Sequence, residues 1–197
     1  CAAAQLPELL WPWLVLAGVE HVSSVPGDTA YTPLRFDSYP VSHSLLTIGL
    51  MGAALGAIHF WRKRRALDAF LLALLPASHW LLDFVTHRAD MPLWPGGPRL
   101  GLGLWNSVPG TIAVELLLFA TGVGLALAAS RARDRIGRWG FGGLVALLLL
   151  ISGANMTSPP PPTAAAIGWA GAIGGLVLTA LAAWVDRHRQ PAGTTRT

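Results

Sequence analysis

Residues 110–130 read GTIAVELLLFATGVGLALAAS, an apolar run that a single charged side chain, Glu115, interrupts. About 20 apolar residues rising ~1.5 Å each cross the hydrocarbon core of a bilayer, so this stretch reads as a membrane-spanning helix. Outward from it, comparable runs occupy roughly 41–61, 66–87, 139–156 and 163–185. A sixth run, 6–22, is less clean, because it carries Glu8, Glu20, His21 and two helix-perturbing prolines, Pro7 and Pro12. The chain of 197 residues is 53% hydrophobic and 12% charged, too apolar for an ordinary water-facing surface. The expected fold is therefore all-α, a polytopic integral membrane bundle of about six transmembrane helices. Residues 1–190 are expected to form one transmembrane domain and 191–197 a short polar cytoplasmic tail.

A formal charge of +4 would suit nucleic acid if the basic residues shared one face of a soluble fold. They do not, and nucleic acid is not an expected partner. Arg62 to Arg65 with Lys63 follow the second run, Arg131, Arg133, Arg135 and Arg138 follow the fourth, and Arg187, Arg189 and Arg196 follow the sixth. The remaining connections hold only Arg35, Arg88 and Arg99. The positive-inside rule then places both chain ends in the cytoplasm, with the protein multi-pass in an inner (plasma) membrane. Pro-Gly-rich stretches such as MPLWPGGP at 91–98 become outer loops.

The one cysteine, Cys1, excludes an internal disulfide framework and a multi-cysteine zinc site, so any metal must use histidine and carboxylate. His79 and Asp83, four apart on the third run, share a helix face at a spacing that lets one ion take both. His87 continues that stripe. His43 opens the second run, and Glu115 lies about one and a half turns into the fourth from the same side. The topology thus gathers His43, His79, Asp83, His87, Glu115 and the Glu20–His21 pair toward the outer third of the bundle. The bland alternatives are a self-satisfied His79–Asp83 pair, an interfacial His87, and solvated ends for Glu20 and His21. Glu115 is open between ligand, partner of a histidine and general base. On one continuous first span Glu8 would lie near the inner end, ~18 Å from Glu20, so a broken or re-entrant segment is needed to bring Glu8 to the same site.

The segments Gln5-Leu6-Pro7-Glu8, Tyr39-Pro40-Val41-Ser42-His43-Ser44 and Ser78-His79-Trp80-Leu81-Leu82-Asp83 resemble the acidic, His-Ser and HxxxD motifs of the YdjM/YbcI-like family of predicted membrane-bound metal-dependent hydrolases. The resemblance spans roughly residues 5–98. The stretches 9–22 and 103–110, with Glu115, also look like a group of uncharacterised bacterial membrane proteins allied to that family. The resemblance implies that His43, His79 and Asp83 are metal ligands and that Glu8 stands where the family usually has aspartate. The family's further histidine belongs to an upstream segment absent from this chain, which opens on Cys1, so a preceding segment is expected.

Histidine and carboxylate donors suit a divalent ion of the zinc, manganese or iron kind, zinc first, over calcium. The expected function is a metal-dependent hydrolase holding its ion on His43, His79, Asp83 and Glu8, with Glu115 assisting a water. The lipid bilayer is its solvent, and a lipid or lipid-linked ester is an expected substrate class. A transporter or metal-handling protein would use the same ligands for passage, and a structural membrane subunit would keep them as internal pairs.

Overall fold

The computed structural model describes residues 2–193. Within them run α1 (Leu6–Leu16), β1 (His21–Ser24), β2 (Leu34–Ser38), α2 (Leu45–Lys63), α3 (Ala66–Thr86), β3 (Met91–Pro92), β4 (Arg99–Leu100), α4 (Val108–Ala129), β5 (Ser130–Ala132), α5 (Arg135–Thr157), α6 (Ala164–Arg187) and β6 (Arg189–Pro191). Five of the helices, α2 to α6, are long and apolar enough to cross a membrane. The sixth, α1, is an eleven-residue helix, short of the ~20 residues a crossing requires. The expected first span, 6–22, is thus a short helix followed by a turn. Gly18 adopts φ +71°, and the N–H groups of Val19 and Glu20 both return to the Leu14 carbonyl, which closes the helix and folds the chain back.

Three small antiparallel pairs, β1–β2, β3–β4 and β5–β6, join the helices, so the fold is mostly rather than wholly helical. Of the expected polar tail, Pro191 closes β6, while 194–197, like Cys1, lie outside the described residues.

By contacts the chain forms two compact units, one of residues 1–108 with 160–176 and one of 109–159 with 177–197. In the first, α2 and α3 make an antiparallel hairpin. Ser44 caps α2 by accepting from the Thr47 N–H, and Arg64, at φ 56°, turns the chain into α3. The helices meet on glycine: a Cβ on Gly52 would collide with the Ala73 carbonyl oxygen, and one on Gly56 would stand 2.6 Å from that of Ala69. Small residues at four-residue spacing allow this approach, whereas Gly49 meets nothing. The contact sets a register that matters for function. His43 lies nine residues before Gly52, ~14 Å along the axis, whereas His79 and Asp83 lie ~9 and ~15 Å beyond Ala73. The hairpin therefore brings His43 level with the interval between them.

The first half of α6 packs on α1 in the same way, with Gly168 and Gly171 against Leu16 and Pro12 and Gly175 against Leu9. The buried apolar cluster of this unit is Trp11, Val15, Val22, Tyr39, Ile48, Trp80, Met91 and Ile167, with Phe36 and Phe84 packed on it. It sits where α1, the start of α2 and the end of α3 meet the two loops that carry β1 to β4. Further along the hairpin, Leu50, Ile58, Leu67 and Phe70 are exposed, a distribution suited to a lipid solvent rather than water.

In the second unit, β5 pairs with β6, and the Arg189 guanidinium donates to Ser130 Oγ, the Ser130 carbonyl and the Gly137 carbonyl. It also lies 4.5 Å from the Phe141 ring centroid. Asp134 caps α5 by accepting from the Gly137 N–H and holds His188 Nδ1 at 2.6 Å. These arginine-rich connections are thus knotted locally as well as charged.

Candidate metal centre

Four side chains converge in the first unit. Glu8 comes from the first turn of α1, His43 from the residue pair that precedes α2, and His79 and Asp83 from successive turns of one face of α3. One donor atom from each lies within 4.8 Å of all the others. His43 Nε2 is 3.2 Å from Glu8 Oε1 and 3.8 Å from Asp83 Oδ2, and His79 Nε2 is 3.3 and 3.2 Å from the same two oxygens. Donors bonded at ~2.0–2.2 Å to a tetrahedral centre are themselves ~3.3–3.6 Å apart, so these spacings suit a single shared ion.

Hydrogen bonding points the same way. His79 Nε2 and Asp83 Oδ2 are buried, and neither has a hydrogen-bond partner despite the 3.2 Å between them. The two atoms stand at ion-pair distance without hydrogen-bond geometry between them. Two orphaned polar atoms aimed at one another's vicinity instead make a donor set for a cation, since leaving them so costs ~1–3 kcal/mol each. The side chains of His43, His79 and Asp83 are 4%, 13% and 18% exposed, while Glu8 keeps 44%, which makes Glu8 the open side of the cluster.

Glu8 reaches this position because the expected span is interrupted: α1 stops at Leu16 and the chain folds back after it. Pro7 in the first turn fits the helix start, and Pro12, which cannot donate to the Glu8 carbonyl, is buried against Gly171. The fold-back after Gly18 then returns Glu20 to the other side of His43. Glu20, read from the sequence as a solvated end, is 1% exposed and bonded to Ser42, whose Oγ lies 2.7 Å from His43 Nδ1. His21 does stay exposed, on β1.

Glu115 lies on α4, in the second unit, and is not among the four clustered residues. His87 is not among them either. It caps the end of α3, is 5% exposed, and packs at a tilt against Trp105, the ring centroids 4.1 Å apart. Its Nδ1 meets Asp90, which also accepts from Tyr39 and Arg88, and Arg88 continues to Asp28. Burial pushes the Asp90 carboxyl up, but His87, Tyr39 and Arg88 outweigh it and hold it below the usual carboxylate range. This buried network pins together the two loops that carry β1 to β4. Tyr39 links it to the cluster, its ring edge-on to His43 at 5.2 Å. Tyr39 also borders a pocket of about 220 Å³ lined by Ser38, Asp90, Pro92 and Arg99 among others.

No sequence signal singled out Ser42 beyond its place beside His43, and Glu20 became legible only through loop packing. Comparison of the chain with protein-family models, curated proteins and solved structures finds no match.

Proposed function

We propose that the protein is a membrane-bound metal-dependent hydrolase whose divalent ion, zinc by preference, is held by His43, His79 and Asp83 with Glu8 closing the open side. The observation that carries this reading is the convergence of two imidazole nitrogens and two carboxylate oxygens within 4.8 Å, two of those atoms buried without a hydrogen bond. Manganese and iron suit the same donors, whereas an all-oxygen ion such as calcium does not. A bound ion would supply Lewis acidity, polarising a carbonyl or phosphoryl oxygen and acidifying water.

The chain's own residues divide the remaining work. The buried trio holds and orients, and Glu8, half in the open, is positioned to accept a proton from the attacking water. Glu115 was assigned that proton-accepting role on sequence grounds, and its substitution separates the two candidates. With the arginine-rich ends of α2, α4 and α6 in the cytoplasm, the cluster near the start of α2 and the end of α3 opens toward the outer face of a plasma membrane. Exposed Leu46, Leu81 and Leu82 near it would lie in lipid, and the polar pocket beside Tyr39 would receive a head group. A lipid or lipid-linked ester or phosphoester is therefore the proposed substrate class.

The test is hydrolysis of lipid ester and phosphoester substrates in mixed micelles by the purified full-length chain, before and after chelation. Activity should vanish on removal of the ion and return with zinc or manganese. Turnover that survives exhaustive chelation would sink the proposal, and zinc flux into vesicles without any hydrolysis would move the same ligands to a metal-handling role.

A further inference from the structure

We propose that Glu20 and Ser42 are positioning residues that fix the tautomer of His43 and so present its Nε2 lone pair to the ion, an inference that rests on the metal reading above. The roles along the chain follow from what each group can donate. A carboxylate only accepts. Glu20 Oε1 takes the backbone N–H groups of Val41 and Ser42, each at 2.8 Å, and Oε2 takes the Ser42 hydroxyl at 2.5 Å. With its only proton committed to Glu20, Ser42 Oγ must accept from His43 Nδ1, 2.7 Å away. In the neutral ring Nδ1 then carries the proton, and Nε2 is bare.

That bare nitrogen faces Glu8 Oε1 at 3.2 Å and Asp83 Oδ2 at 3.8 Å. A proton on Nε2 makes this contact with Glu8 a hydrogen bond; in the neutral ring, with the only proton committed to Ser42, a cation takes that place among the oxygens. Glu20 and Ser42 are 1% and 0% exposed, and water does not compete for these bonds. Metal-bound histidines commonly donate their second nitrogen to a carboxylate; here the serine carries that link.

Glu20→Gln reverses the relay while keeping its shape. The two backbone N–H groups pin the amide oxygen in the place of Oε1, because an NH2 there would face two donors. The NH2 is thereby turned to Ser42 Oγ and donates to it. Ser42 then gives its proton to His43 Nδ1, and the ring proton moves to Nε2, where the ion should bind.

Two readouts on the purified full-length chain test this: zinc affinity by competition with a chelating dye, and 15N NMR of labelled histidine in metal-free protein at a pH where the ring is neutral. The expected result is an Nδ1–H ring in the wild type, an Nε2–H ring in Glu20→Gln, and zinc affinity lower by about 10–100-fold. Ser42→Ala, which leaves the buried carboxylate its backbone donors, should lose the fixed tautomer and weaken zinc to a similar degree. The double variant should be no weaker than Ser42→Ala. Unchanged tautomer and zinc affinity in these variants would overturn the relay. A tautomer that switches in a protein whose wild type binds no zinc would instead overturn the metal reading and leave the relay standing.

Discussion

Asp83→Ala is expected to empty the site and leave the metal-free protein at least as stable as the wild type. The reason lies in how Asp83 is held. Its Oδ2 is buried without a hydrogen bond, 3.2 Å from His79 Nε2 and 3.8 Å from His43 Nε2. Without an ion, that carboxylate is a cost to the fold, and alanine also has the better helix propensity within α3. Binding should fall by well over the ~10–100-fold that outer partners carry, because a ligand itself is removed. The structural-pair alternative gives the opposite sign for stability. Breaking a buried ion pair by deleting one partner costs ~3–5 kcal/mol. Thermal unfolding of both metal-free proteins, with zinc titration of each, separates the two: a large drop in Tm for Asp83→Ala would mean that His79 and Asp83 only stabilise the bundle.

Glu8→Gln should behave differently. The Glu8 side chain is 44% exposed, and its Oε1 touches both imidazoles at 3.2 and 3.3 Å. If its main task is to take a proton from water, the isosteric amide keeps the shape of the site and removes the base. Zinc affinity should then change by less than about tenfold while turnover falls by ~10²–10⁴-fold. The check is kcat and zinc affinity measured on one preparation, with Glu115→Gln alongside. Loss of zinc as complete as in Asp83→Ala would make Glu8 a ligand without a base function, and a collapse of kcat in Glu115→Gln alone would return that function to Glu115.

The long helices were legible because each is decided within its own window: a run of about 20 apolar residues needs no knowledge of its neighbours. The His79–Asp83 face was legible for the same reason, as a matter of helical spacing. The eleven-residue α1 was harder to read, since the apolar count of 6–22 looks like a span, and only Pro12 and the glycine after the helix hint that it stops. What the sequence could not supply was contact between distant segments. Glu20 looks like a solvated end until the loop 21–44 folds over it and its carboxylate takes the Val41 and Ser42 amides. His87 looks interfacial until Tyr39, Asp90 and Trp105 enclose it. The short strands were unforeseen because pairs such as Met91–Pro92 with Arg99–Leu100 are too brief to leave an alternating pattern.

The central claim is that His43, His79 and Asp83, with Glu8 on the open side, form one ion site. It is tested most directly by the metal content of the purified full-length protein, measured by elemental mass spectrometry after removal of loosely held ions. The account predicts close to one zinc, manganese or iron per chain, absent from Asp83→Ala and His79→Ala proteins that still fold. Folded wild-type protein free of metal after growth and purification with zinc supplied would contradict it.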